Sequence, residues 1–93
     1  VTTTFDNLDF KPHPNGTGVQ ARVFFPDGYG ASVIKTAFSY GGKDGLFELA
    51  VLEGTEKSSY LTYSTPVTSD VEGHLMPEDV TNLLVQIEAL PHA

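Results

Sequence analysis

The tripeptide Pro26-Asp27-Gly28, set between two runs rich in β-branched and aromatic residues, constrains this chain more than any other stretch. Proline presets φ at the first central position of a turn, and glycine supplies the left-handed residue that closes a three-residue hairpin loop with a bulge. Such a loop fixes the register on either side of it. Phe25 then faces Tyr29, Val23 faces Ala31 and Ala21 faces Val33, which gathers apolar side chains on one face and leaves Gln20, Arg22 and Ser32 on the other. A slip of one residue would mix the two sets, so turn chemistry and side-chain pattern specify the same pairing.

The same alternation continues downstream. Leu46 to Glu53 reads as a third strand, with Phe47, Leu49 and Val51 on one face and Leu46, Glu48, Ala50 and Leu52 on the other. A polar loop, Glu53 to Lys57, leads to a fourth strand from Tyr60 to Ser64; pairing Val51 with Leu61 and Leu49 with Tyr63 keeps the apolar set together. The connector Phe38-Ser39-Tyr40-Gly41-Gly42-Lys43-Asp44-Gly45 has the glycines of a phosphate loop but not its logic. A Walker loop needs Ser or Thr after its lysine at the start of a helix, whereas Lys43 precedes Asp44 and a strand. The glycines are read as a tight connection between strands, with Tyr40 exposed on it.

The flanks complete the fold. Val1 to Phe10 is expected to form an irregular edge strand anchored by Phe5, Leu8 and Phe10, and Lys11 to Gly18 is too rich in Pro, Asn and Gly to be anything but a loop. Thr65 to His74 is an extended crossing segment. Val80, Leu83, Leu84, Ile87 and Leu90 recur at spacings of three and four, which predicts a helix over 77–90. Pro77 suits its first position, and Glu78 and Asp79 complement the positive end of its dipole. Met76, at the expected N-cap, cannot accept the hydrogen bond that Ser, Thr or Asp would, so Leu75 and Val80 are expected to staple the first turn instead. The predicted fold class is therefore α+β in one domain: an N-terminal segment and loop (1–18), an antiparallel β-meander of about four to five strands (19–64), and a C-terminal α-helix (77–90) packed on one face.

Charge and composition narrow the function classes. Ninety-three residues with 40% hydrophobic content supply one modest core. With no cysteine there is no disulfide framework, thiolate metal site or cysteine nucleophile. A net charge of −7 opposes direct binding to nucleic acid and to anionic membranes. From Ser58 to Ala93 there are carboxylates at Asp70, Glu72, Glu78, Asp79 and Glu88 and no Lys or Arg, which reads either as a face for a basic partner or as a solvated face that discourages aggregation. No apolar run approaches the roughly 20 residues of a membrane span. No leader with a basic start and apolar middle is recognisable, and since the chain starts at Val1 this carries little weight.

Residues for chemistry are sparse. His13, His74 and His92 share no metal-binding spacing, and Asp70, Glu72 and His74, which alternate, read better as an acidic extended loop than as a cation site. No serine lies in a Gly-x-Ser-x-Gly setting, and no cleft is implied that would set one carboxylate pKa against another. No enzyme activity, cofactor or metal is expected. The informative surface is the sheet's second face, where Phe24, Ile34, Leu46, Leu52 and Tyr60 stand among Gln20, Arg22, Glu48 and Thr62. Either the N-terminal segment lies across it through Phe5, Leu8 and Phe10, or it is an interface.

Three stretches, Phe25-Pro-Asp-Gly-Tyr-Gly-Ala-Ser-Val33, Tyr40-Gly-Gly-Lys-Asp-Gly-Leu-Phe-Glu-Leu-Ala-Val-Leu52 and Leu61-Thr-Tyr-Ser-Thr-Pro-Val-Thr-Ser-Asp-Val71, followed by a short acidic helix, resemble a group of small accessory proteins encoded by tailed bacteriophages. The resemblance runs from about Leu8 to Leu90. Members often carry Thr where this chain has Met76, which bears on helix capping alone. The resemblance implies a protein acting in the cytoplasm of a bacterial host cell, binding a host protein to inhibit or redirect it, in host takeover or anti-defence. The contacts expected for such a role are Phe24, Tyr29, Tyr40 and Tyr60, with Asp70, Glu72, Glu78 and Asp79 as the charged set. The alternative is a homo-oligomeric structural or assembly component of a phage particle. A small-ligand binder using the Gly41-Gly42 loop is a weaker reading still.

Overall fold

The computed structural model describes residues 3–91. The chain is an α+β fold built from β1 (Lys11–Pro12), β2 (Val19–Phe24), β3 (Tyr29–Lys35), β4 (Phe47–Gly54), β5 (Ser59–Leu61), β6 (Glu72–Leu75) and α1 (Pro77–Glu88), with short 3-10 turns at Phe5–Asn7 and Gly42–Asp44. The antiparallel sheet runs β1-β2-β3-β4-β5, and β6 joins the same edge of β4 that β5 uses. β5 takes the end from Leu52 to Gly54 and β6 the end from Phe47 to Leu49.

The β2–β3 hairpin forms as the turn dictates. Ala21 pairs with Val33, Val23 with Ala31 and Phe24 with Gly30. Phe25 N–H donates to Tyr29 O at 2.8 Å, Gly28 N–H donates to Phe25 O at 3.2 Å, and Gly28 takes φ +89°. Asp27, buried in the loop, accepts the Tyr29 N–H on Oδ1 at 3.0 Å, which ties the turn to the strand that follows.

One face of the sheet carries the core. Val33, Leu49 and Val51 from the central strands meet Val80, Leu84 and Ile87 of α1, and all six are fully buried. Burying a side chain of this size contributes about 1.5–3 kcal/mol, so this stripe dominates the fold's stability. The helix begins at Pro77 as predicted and ends at Glu88, two residues early; Leu90 still packs against the core. Met76 makes no side-chain cap, and only the reciprocal half of a capping box forms, Met76 N–H donating to Asp79 Oδ2 at 2.9 Å. Leu75 packs against the core cluster, of which Val80 is one member.

The N-terminal segment departs from both expectations for it. It is neither an edge strand nor a cover for the second face; residues 1–2 lie outside the described part. Phe5 begins a 3-10 turn beside the helix, its N–H donating to Thr81 Oγ1 at 2.9 Å, and Thr3 N–H reaches Glu88 Oε1 at 3.2 Å. The Phe5 ring meets Phe47 edge-on at 4.9 Å, and Phe10 lies 5.5 Å from each. Phe47 points to the helix side of β4, and such aromatic contacts add about 0.5–1.5 kcal/mol beyond area burial, which draws the segment to that side. Within the stretch expected to be loop, Lys11 pairs with Gln20 and Pro12 with Val19.

Two further differences lie beyond β4. Thr55 and Ser58 exchange backbone hydrogen bonds of 2.9 and 3.1 Å, so the β4–β5 loop holds two residues, Glu56 and Lys57. The expected register required an odd loop. With an even one, Leu52 pairs with Leu61 and Glu53 with Tyr60, and every β5 side chain changes face. Leu61 and Tyr63, expected in the core, are 49% and 46% exposed. The crossing segment in turn ends in β6, where Gly73 and His74 together oppose Glu48 in a bulge and His74 takes φ +55°.

Candidate functional site

The second face is not an open plane. Register places Gln20, Ile34 and Glu48 in one row, Arg22, Ser32 and Ala50 in the next, and Phe24, Gly30, Leu52 and Leu61 in a third. Ala50 and Leu52 are nonetheless buried, Leu52 at 5% exposure, and the β4–β5 hairpin bends toward β2 on this face. The bend brings Ser59 Oγ to 2.8 Å from Arg22 Nη2, although their strands are separated by β3 and β4. Arg22 lies over the Phe24 ring at 5.1 Å, and that ring rests against Gly30, where a Cβ would overlap it. Gln20 donates to Ser32 Oγ at 3.0 Å. Of the apolar set expected here, Phe24 and Ile34 are half-buried, Leu46 lies half-buried in the connector before β4, Leu52 is covered, and Tyr60 sits on the opposite side.

Tyr29 and Tyr60 both lie on the helix side of the sheet. They flank Glu53, which pairs with both, in a row at the ends of β3, β4 and β5. The Glu53 carboxylate accepts a hydrogen bond from the Tyr60 hydroxyl and opposes its ionisation, which raises the Tyr60 pKa above its ordinary value. Phe24 projects from the other face, so three of the four expected aromatic contacts do not converge with it.

Tyr40 stands apart with a neighbour that the sequence reading passed over. Phe38 is 79% exposed and Tyr40 61%, on a connector held by its own hydrogen bonds. Thr36, buried, accepts the N–H groups of Phe38 and Ser39 on Oγ1 at 3.1 and 3.0 Å and donates its own N–H to Ser39 Oγ at 2.9 Å. Tyr40 N–H donates to Glu48 Oε1 at 2.9 Å, and its carbonyl accepts the His74 N–H at 3.1 Å. Gly42 approaches Thr36 so closely that a Cβ would overlap the Thr36 carbonyl. The Thr-x-x-Ser spacing at 36–39 is the signal that could have marked this loop as ordered.

Asp70, Glu72 and Glu78 are exposed, while Asp79 is half-buried and spends one oxygen on the Met76 N–H. Asp70 Oδ1 accepts the N–H of Val71 at 2.7 Å. The His74 bulge breaks the alternation that would have aligned Asp70, Glu72 and His74, and no group of His, Asp and Glu suited to a metal ion occurs among the described residues. His13 Nδ1 accepts the Asn15 N–H at 3.0 Å, and His92 lies outside the described residues.

A groove of about 590 Å³ opens where β1 and β2 diverge, lined by Asp9, Lys11, Pro12, Pro14, Gln20, Arg22, Val23, Phe24 and Glu56. Its charges balance, two acidic and two basic, in a chain of net charge −7. Lys11 and Asp9 form an exposed ion pair at 3.7 Å, worth about 0–1 kcal/mol. No helix among the described residues is long and apolar enough to cross a membrane. The chain matches no protein family, and comparisons with curated proteins and with solved structures give no match either.

Proposed function

We propose that this chain is a small acidic accessory protein of the phage type that acts by binding a host protein and inhibiting or redirecting it. The observation that carries the reading is the pair Phe38 and Tyr40, large aromatic side chains held exposed on a connector whose backbone is already ordered. An anchor that is ordered before binding loses little entropy on docking, and aromatic anchors dominate interface energetics. Tyr60 and Tyr29 on the far rim, Phe24 on the second face, and the carboxylates Asp70, Glu72, Glu78 and Asp79 extend the surface available to partners. The phage resemblance supplies the cellular setting, the cytoplasm of a bacterial host.

The test is retention of a bacterial host protein by the immobilised chain, with the Phe38→Ser, Tyr40→Ser double variant alongside. We expect a defined partner whose affinity falls at least about tenfold in the variant, and that falls again as salt screens the carboxylates. Retention that is identical in the variant removes the aromatic pair, and an affinity flat in salt removes the acidic set. The alternative, a homo-oligomeric assembly component, predicts a solution mass that rises with concentration and returns to the monomer value in the variant.

A further inference from the structure

β2 loses its outer neighbour halfway along. The hydrogen bond from Phe25 N–H to Tyr29 O sets the parity of the hairpin, so the odd residues of β2 turn their backbone groups toward β3. Gln20, Arg22 and Phe24 therefore direct N–H and C=O away from β3. Gln20 is met by Lys11, and there β1 ends. The chain before it leaves toward the Phe5, Phe10 and Phe47 cluster, and no backbone partner reaches the outward groups of Arg22 or Phe24 among the described residues.

An exposed strand edge is ordinarily blunted by charge, proline or a covering loop, because unpaired backbone groups template another strand. Here the open stretch lines the groove together with Asp9, Pro12, Pro14 and Glu56, and no backbone group among the described residues closes it. Arg22 is held in place above it by Ser59 and the Phe24 ring. Two donors and two acceptors at the two-residue repeat of a strand, roughly 6.8 Å, match one kind of ligand, an extended backbone. A slender strand fits such a recess. A second copy of this chain is disfavoured, since each copy carries −7.

We propose that the outer edge of β2 at Arg22–Phe24 receives an extended peptide segment of another protein, antiparallel, with an apolar residue opposite Phe24, an apolar residue opposite Val23 and a carboxylate opposite Arg22. Directly opposed side chains on a ladder interact, and opposite charges there are favourable. The middle residue falls on the helix side, where Val23 is half-buried against the core. This inference rests on the protein-binding reading above and specifies its mode at a surface separate from Phe38 and Tyr40.

The probe is a panel of acetylated, amidated heptapeptides, with Ile, Val, Leu or Phe at the two apolar positions and Asp, Glu or Lys at the third, offered to the whole chain up to about 1 mM. We expect the amide protons of Arg22 and Phe24 to gain protection from exchange. N-methylation of the peptide residue opposite Arg22 or Phe24 should weaken binding at least about tenfold, while N-methylation of the middle residue, whose N–H points away, should leave it within about twofold. Arg22→Glu should move the preference from Asp to Lys at the third position. A panel that protects neither amide, or N-methylation equally harmful at all three positions, overturns the strand addition. If a host partner is still retained through Phe38 and Tyr40 in that case, protein binding stands and only this mode falls; if neither occurs, both readings fall together.

Discussion

Gly73 and Tyr40 are in contact so close that the glycine has no room for a side chain: a Cβ on Gly73 would overlap the Cβ of Tyr40. The next residue, His74, donates its N–H to the Tyr40 carbonyl at 3.1 Å, so β6 and the aromatic connector are joined at two consecutive positions. The bulge in β6 falls at Gly73 and His74, and the connector they meet carries the exposed rings of Phe38 and Tyr40.

Gly73→Ala should therefore destabilise the fold by about 1–3 kcal/mol through overlap that no rotamer change relieves. A denaturant titration measures it. Because the obstructing atom is the first of the Tyr40 side chain, Tyr40→Ala would not rescue Gly73→Ala, whereas Tyr40→Gly would in part. A double variant with Tyr40→Ala as stable as Tyr40→Ala alone would place the connector elsewhere.

Met76→Thr should stabilise the chain by about 0.5–2 kcal/mol. Met76 occupies the N-cap with extended backbone and no side-chain bond to the first turn, while its own N–H is already held by Asp79. A threonine hydroxyl supplies the missing acceptor without disturbing that bond, and half of Met76 is exposed, so little burial is lost. An unchanged or lower midpoint in urea would show that the Met76 thioether contributes more than the cap.

Tyr60 gives a pH dependence whose sign is determined by Glu53. The carboxylate favours the protonated phenol, so the folded-state pKa lies above the ordinary 10.0. The associated stabilisation is fully present below the unfolded-state value and is lost as pH rises through the folded one. Ultraviolet titration of tyrosinate in the wild type and in Glu53→Gln should show the Tyr60 midpoint lowered by the substitution. A midpoint indifferent to Glu53→Gln would separate the two side chains.

What could be read from sequence divides by range. The β2–β3 hairpin was legible because Pro26, Asp27 and Gly28 fix its register within three residues, and α1 because its apolar spacing needs no tertiary information. The β5 register hinged on loop parity, and Glu-Gly-Thr-Glu-Lys contains no Asn-Gly or Asp-Gly to declare an even turn. That one-residue difference sent Leu61 to the second face and brought Tyr60 beside Tyr29. β6 was hidden because Gly73 and a left-handed His74 are poor strand signals, and they pair only with a strand formed more than twenty residues earlier. Tyr40 was legible as exposed on a glycine-rich connector, while Phe38 was not, since its exposure depends on Thr36 turning inward.

The N-terminal segment offers the sharpest test of the core as described. Phe5 reaches α1 and β4 at once, through its N–H to Thr81 and its ring to Phe47, contacts that span most of the chain. Phe5→Ala should cost about 2 kcal/mol, less than the 3–5 typical of a fully buried phenylalanine because Phe5 is only half-buried. Cost alone would not locate the ring. A double-mutant cycle with Phe47→Leu does, since two rings in edge contact should couple by about 0.5–1.5 kcal/mol, whereas a cycle with Ile34→Ala on the second face should be additive within about 0.5 kcal/mol. Coupling to Ile34 instead of Phe47 would return the segment to the second face, cover Phe24, and close the β2 edge to any incoming strand.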